Sequence, residues 1–475
     1  MTGQSTFFLA TLGCKVNQYE SHALREAWLG RGLRETKDPA RAGIILVNSC
    51  AVTAKAVADV RATVRRLNRA APEAAIIISG CAAEVLEKEL AGLPGVRAVV
   101  GQADKAGLLT AKTDKADLLA ALSFTAVDSG DTAYPPFAVS GYDRSRAVLK
   151  IQDGCSHGCA YCIVPLARGR ARSRAYEDAV EEAGRLLRAG FREIVISGVN
   201  LRQFRLSGSV CRDTSAAPSS FDAKLSHYPL TPDAGCDFWD FLSRLDGALA
   251  PEWRGRARLR ISSLEPGQLG HKALEVLQAC EMLAPHLHLS LQSGSPSVLR
   301  RMGRGHYDPA FLPEFFTALQ RIWPVFGLGA DLLTGFPGES EVEFAQGLGL
   351  CRALPLTYAH VFPYSRRPGT RAASMPDQTP PDVKKDRAAR LRALVQEKKK
   401  HFLHFLLTLP RLQVVFEDRE EQDGSVPPRG VCEFYADCAL AGPDADLPRR
   451  EIVMVRPLAV QKGGLVVEPV YGERD

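Results

Sequence analysis

Three thiols within one short loop, Cys155, Cys159 and Cys162, constrain this chain more than any other feature. The C-x3-C-x2-C spacing lets a single loop wrap three sulfurs around one metal centre. A tetrahedral zinc site wants a fourth ligand, and the loop offers only His157, between the first two cysteines. An iron–sulfur cube fits the set better. It normally takes four thiolates, and with three it keeps one iron open for a small chelating ligand. The plainer readings are structural zinc ligands or buried thiols, since free cysteine packs as a small hydrophobe.

The rest of the composition bounds the setting. A length of 475 residues suggests about three domains, and an apolar content of 45% is enough for sizeable cores. No apolar run approaches the length of a membrane span, and MTGQSTFFLATLGCK has no basic region followed by a long apolar stretch and cleavage site. The expectation is a cytoplasmic protein with no membrane partner. Its 12 cysteines are then ligands or free thiols rather than disulfides. The net charge of +6 is unevenly spread: eight Lys/Arg lie between Lys384 and Lys400 against Asp386 and Glu397. That run suits either a solvated helix face or a phosphate-facing surface.

Residues 1–101 alternate apolar strands with amphipathic helices: FFLATLG, IILVNSC and AIIISGC are each followed by a helical stretch. This pattern indicates a doubly wound parallel sheet. Cys14, Cys50 and Cys81 each fall at a strand end, on the edge where such sheets bind ligands. One strand-end cysteine is most simply a core thiol. Three of three suggest a second cluster, again with one iron open. Residues 102–145 read as a linker. From Arg146, six strand-like runs separated by helical segments point to a partial (β/α)6 barrel over 146–380, with polar residues gathered at the strand ends. A basic helix over 381–400 and a small antiparallel β-barrel over 401–475 complete an α/β chain.

The cysteine triplet, with Tyr161 before its last member, resembles the radical S-adenosylmethionine (SAM) superfamily. The resemblance implies that the open iron binds the amino and carboxylate groups of SAM. An electron from the cluster then splits SAM into methionine and a 5′-deoxyadenosyl radical. GCKVNQYES, VNSCAVT and ISGCAAE resemble the N-terminal domain of the methylthiotransferases, where three such cysteines ligate an auxiliary [4Fe–4S] cluster. LQSGSPSVLRRMGRGH, ADLLTGFPGESEVEF and HVFPYSRRPGT look like that family's barrel signatures. LRISSLEP and CKVNQYES resemble the MtaB-type branch, which acts on N6-threonylcarbamoyladenosine in tRNA, more than the branches acting on isopentenyladenosine or on a ribosomal-protein aspartate.

The resemblance implies two [4Fe–4S] clusters, SAM contacts at Tyr161, Gly198, Asn200, Ser263, Gln292, Asp331 and Phe362, and cation contacts from Arg168, Arg170, Arg172 and Arg174. It also implies a tRNA anticodon stem-loop as partner, a low-potential electron donor such as flavodoxin, and a sulfur donor. A non-catalytic iron–sulfur protein that binds RNA or senses redox state is the alternative of another class. Two stretches depart from the family pattern: the long segment between Asn200 and Phe238, and Leu166, where the family more often has an aromatic. The C-terminal module matches the position of a tRNA-gripping TRAM barrel. Yet His401 to Asp475 holds 8 Lys/Arg against 13 Asp/Glu, whereas a backbone-binding module is usually basic.

Overall fold

In the computed structural model of the chain, residues 6–102, 104–110, 134–206, 236–417, 427–442, 447–448 and 450–470 are described. Most of the connection expected over 102–145, and residues 207–235 of the long segment with Cys211, lie outside them. The chain forms two units. The first joins Met1–Gly141 with Gln152–Ser173 and Ser365–Ser374, and the second holds Tyr142–Ile151, Arg174–Tyr364 and Met375–Asp475. The cysteine-triplet loop thus belongs to the N-terminal unit.

The first unit is built on β1 (Thr6–Thr11), β2 (Arg34–Glu35), β3 (Ile44–Ser49), β4 (Ala75–Gly80) and β5 (Val96–Val100). They pair in the order β2-β1-β3-β4-β5 with every pairing parallel. β3 and β4 are buried along their whole length, which explains their unbroken apolar runs. Helix Ala54–Ala70 shows how the covering layer forms. Thr53 caps it by accepting from the Ala56 N–H, and Val57, Val60, Val64 and Leu67 recur on its buried face.

The second unit contains the parallel barrel strands: β6 (Arg146–Lys150), β9 (Glu193–Ser197), β10 (Arg258–Ile261), β11 (Ser263–Leu264), β12 (His286–Gln292), β13 (Gly327–Thr334) and β14 (Tyr358–Pro363). The short β7 (Gln152–Asp153) and β8 (Arg172–Ser173) lie in the cysteine loop of the first unit. β6, β9 and β10 form one parallel sheet, β11 to β14 another, and the chain passes between them at Ser262. This is the partial (β/α)6 barrel. Capping boxes at Asp237/Asp240 and Ser340/Glu343 start helices Phe238–Trp253 and Glu341–Ala353.

β15 (Leu412–Phe416), β16 (Arg429–Cys432), β17 (Asp437–Leu440), β18 (Ile452–Gln461) and β19 (Gly464–Pro469) close into a five-stranded barrel, as a TRAM-like domain would. It is not wholly antiparallel: β17 pairs with β19 in parallel. The tight turn at Lys462 and Gly463, both at positive φ, folds β19 back on β18 and leaves it to close the barrel against β17. Cys432 and Cys438 are buried in its core.

This small barrel plugs one end of the large one. Arg258 donates to the carbonyls of Gln413 and Val431, and Arg260 to those of Cys432 and Glu433. Gly327 is required here, because a Cβ would lie 2.0 Å from the Phe434 carbonyl oxygen. Between the arginines sits Glu193, accepting from Arg258 at 2.6 Å and from Arg260 at 2.7 and 3.0 Å. Burial opposes its ionisation, but Arg258, Arg260 and Arg146 outweigh burial and hold the carboxyl well below the usual range.

The basic helix runs from Pro381 to Leu406, and most of its charges have internal partners. Arg387 pairs with Glu339, Arg390 with Glu341, and Lys399 with Asp437. Arg392 and Lys398 donate to backbone carbonyls, as does Lys384 to Tyr364. Lys385 and Lys400 alone in this run are without such a partner among the described residues. Most of the run thus makes contacts within the second unit.

Replacing Glu193 by Gln leaves two buried guanidiniums unpaired and should cost about 3–5 kcal/mol, measured by denaturant unfolding against the wild type. The wild-type carboxyl is depressed, so its contribution is fully present above the unfolded-state range. The difference between the proteins should be flat from pH 5 to 8 and shrink below about pH 4.

Candidate functional site

The strand order of the first unit decides where its three separated cysteines meet. β1 and β3 are neighbours although β2 lies between them in sequence, so the crevice at their C-terminal ends is the sheet's switch point. Cys14 follows β1, Cys50 follows β3, and Cys81 opens the short helix after β4. The strands end level, with Thr11 paired to Asn48 and Ser49 to Gly80. Gly13 takes a positive φ of 103°, and a Cβ there would lie 2.7 Å from the Cys50 Cβ and 2.9 Å from its Sγ. Only glycine lets the Cys14 turn rest on Cys50.

Cys50 and Cys81 are buried and Cys14 is exposed. Burial pushes the Cys50 thiol up to about 11, with the neighbouring Cys14 and Cys81 adding to the rise. Burial likewise raises Cys81, while Arg168 opposes it. Two buried thiols that are costly to ionise alone, with Cys14 beside them at the same sheet edge, fit a metal centre, whose positive charge deprotonates its thiol ligands.

The second set lies in the same unit. Cys155 is buried, and Cys159 and Cys162 are partly exposed. The loop is held by its backbone: the Cys155 N–H donates to Gly169 O at 3.0 Å and the Cys162 N–H to Cys159 O at 3.1 Å. From the segment after the last barrel strand, Ala372 N–H donates to Ala160 O at 2.7 Å and Arg371 to Gly158 O at 2.6 Å. The Val164 N–H points at Cys162 Sγ, 3.5 Å away, as befits a cluster ligand whose charge amide groups stabilise. Helix Val164–Arg168 then packs on the helix that begins at Cys81, with Ile163 and Ala167 joining the core that contains Cys81 and Ala82.

Arg168 ties the two cysteine loops together. Its guanidinium donates to Glu20 at 2.8 Å, Asp153 at 2.9 Å and Asn17 Oδ1 at 2.6 Å. The Asn17 amide in turn donates at 2.9 Å to Leu12 O and Ser49 O, the carbonyls leading into Cys14 and Cys50. Lys105 completes the network against Glu20 and Asn48. Asn17, Glu20 and Lys105 were not singled out in the sequence, although the CKVNQYES stretch carries two of them. Of the other arginines expected to contact the cofactors or RNA, Arg172 donates to Arg168 O and Arg174 pairs with Glu182, while Arg170 is exposed. Arg367 is a further missed residue: it is buried, and its charge interacts with Cys50.

The expected SAM contacts divide between the units. Tyr161 lies half-buried in the cysteine loop of the first. Gly198, Asn200, Ser263, Gln292, Asp331 and Phe362 lie on or just after strands of the second. Gln292 takes φ 61° where β12 departs from regular register, a strained geometry of the kind that gathers at functional sites. Ser263 and Phe362 are exposed. Asn200 is buried and caps the turn at Leu201–Gln203, and Asp331 contacts His288 at 3.2 Å. Cys236 forms a disulfide, against the expectation of ligands and free thiols alone, and is no ligand.

Residues 6–101 match the uncharacterized protein family UPF0004, and residues 149–350 match the radical SAM superfamily. The threonylcarbamoyladenosine tRNA methylthiotransferase MtaB of Bacillus subtilis is 33% identical over 399 residues, covering 84% of this chain and 82% of its own length. The enzyme of the same name from Rickettsia prowazekii is 32% identical over 385 residues, covering 81% of each chain. Among solved structures, the radical SAM methyltransferase TsrM of Kitasatospora setae, with cobalamin and a [4Fe–4S] cluster bound, superposes with a TM-score of 0.52 at 15% identity. That superposition covers 78% of this chain and 77% of TsrM, and it supports the fold. With both cysteine sets in place and relatives of this similarity along most of its length, the chain belongs to the radical SAM methylthiotransferases, in their MtaB-type branch.

Proposed function

We propose that this enzyme converts N6-threonylcarbamoyladenosine beside the tRNA anticodon to its 2-methylthio derivative. The carrying observation is that six cysteines form two sets in one packed unit, with the helix that follows one set docked on the helix that begins with Cys81 of the other. Cys155, Cys159 and Cys162 would hold the cluster that binds SAM, and Cys14, Cys50 and Cys81 the auxiliary cluster. When bound, these groups supply hydrogen abstraction from an unreactive aromatic C–H and a source of sulfur, chemistry that side chains lack.

The chain's own residues supply position and charge. Arg168 and Asn17 fix the two cysteine loops to each other. Arg168, Lys105, Glu20 and Asp153 form a buried ion-pair network, with Arg172 at its edge 3.9 Å from Asp153, on which the cluster loops rest. Tyr161, Gly198, Ser263, Gln292 and Phe362 are assigned to SAM, with Asn200 contributing beside its internal contact, while Asp331 is left to His288, 3.2 Å away. A low-potential electron donor such as flavodoxin and a separate sulfur donor would complete the reaction in the cytoplasm. Among the described residues no helix is long and apolar enough to cross a membrane.

Anaerobic reconstitution should give about eight irons per chain, and about four when Cys81 is replaced by Ala. The Cys81→Ala protein should still cleave SAM without inserting sulfur, whereas Cys155→Ala should do neither. Mass spectrometry of tRNA nucleosides from cells lacking the gene should show loss of 2-methylthio-threonylcarbamoyladenosine. Loss of the isopentenyl derivative instead would move the enzyme to the other tRNA branch.

Arg168→Gln removes the fork from a buried network and should lower stability by about 3–5 kcal/mol. Anaerobic thermal unfolding should show a lowered midpoint. Arg168→Lys should fall between, since it keeps the charge but not the fork.

A further inference from the structure

The barrel carries a second set of metal-ligating side chains that the cysteine clusters do not use. His288 on β12, Asp331 on β13 and His360 on β14 each offer one ligand atom, and these atoms all lie within 4.8 Å of one another. The register explains the convergence: Asp331 pairs directly with His360, and His288 pairs with Gly329, two residues before Asp331 on the same face. The alternating residues Leu287, Leu289, Leu328, Ala330 and Leu332 are buried on the opposite face against the helices. The trio therefore lines the inner face, with His288 buried, Asp331 intermediate and His360 exposed.

We propose that His288, Asp331 and His360 bind one divalent ion of borderline softness, such as zinc. Two imidazoles and a carboxylate are the donor set that such ions take. His288 Nε2 and Asp331 Oδ1 are 3.2 Å apart, close to the about 3.3 Å between two ligands placed ~2.0–2.1 Å from a tetrahedral ion. The surroundings of His288 supply the expected outer contact. Its Nδ1 lies 2.9 Å from the Tyr358 hydroxyl, which lies 2.8 Å from His286 Nε2. A metal on Nε2 places the His288 proton on Nδ1. Tyr358 accepts that proton's hydrogen bond and donates its own to His286 Nε2. Gly329 leaves room for this arrangement, since a Cβ there would lie 2.4 Å from both His288 Nδ1 and the Tyr358 hydroxyl. Three protein ligands leave a position open toward the lumen, as in sites that take a further ligand.

The test uses the full chain with its iron–sulfur clusters reconstituted anaerobically, equilibrated with micromolar zinc and passed into metal-free buffer. Elemental analysis should find about one zinc per chain beside the iron, and absorption at the zinc edge should show nitrogen and oxygen at ~2.0–2.1 Å rather than sulfur at ~2.3 Å. His360→Ala should lose the zinc while keeping the wild-type iron count. Tyr358→Phe should keep the stoichiometry but bind zinc about 10–100-fold more weakly in competition with a chelator. No retained zinc, a sulfur shell around it, or unchanged binding by His360→Ala would each overturn the assignment. Loss of zinc without loss of iron separates this site from the cluster count and the tRNA product.

Discussion

The first unit depends on a guanidinium taken out of water. Arg168 is 4% exposed and Glu20 and Lys105 are fully buried, so each charge has lost solvation that only its neighbours can offset. The set holds because each buried charge has an opposite partner, and amide oxygens of Asn17 and Asn48 accept further hydrogen bonds from Arg168 and Lys105. Such a network tolerates little displacement, because a shift of any member leaves a buried charge unpaired. Rigidity is what two cysteine loops from distant parts of the chain need if their metal centres are to keep a fixed geometry.

The same solution appears at the end of the large barrel. Glu193 sits among three arginines, and the small C-terminal barrel contributes both carbonyl acceptors and a carboxylate, Glu417, which pairs with Arg146 at 2.8 Å. Glu451 similarly faces Arg192, and Asp437 faces Lys399. These contacts give physical meaning to the acidic balance of the C-terminal module. Part of its negative charge neutralises basic residues of the barrel and of the long helix. Net charge by segment thus misleads in both directions: the basic helix is largely spent on internal partners, and the acidic module is partly spent on the helix.

The fold class was legible because it is written in local periodicity. Unbroken apolar runs marked β3 and β4, and strand-end polar residues marked the barrel. The two cysteine sets were legible for two reasons: three share one loop, and the other three each end a strand whose edge a parallel sheet brings together. The small barrel was readable as short strands, but its parallel closure was not, because that depends on where a two-residue turn sends β19.

What the sequence alone determined is the chemistry on offer: two sets of thiols, the elements that carry them and the family whose motifs they match. What only the tertiary structure decided is which distant groups meet. Arg168 reaches Glu20 across 148 positions of chain, and His288, Asp331 and His360 converge only once three strands fix their register. No local pattern encodes such meetings. They follow from strand order and side-chain packing, and these set which buried charges are paired and which polar groups line the lumen.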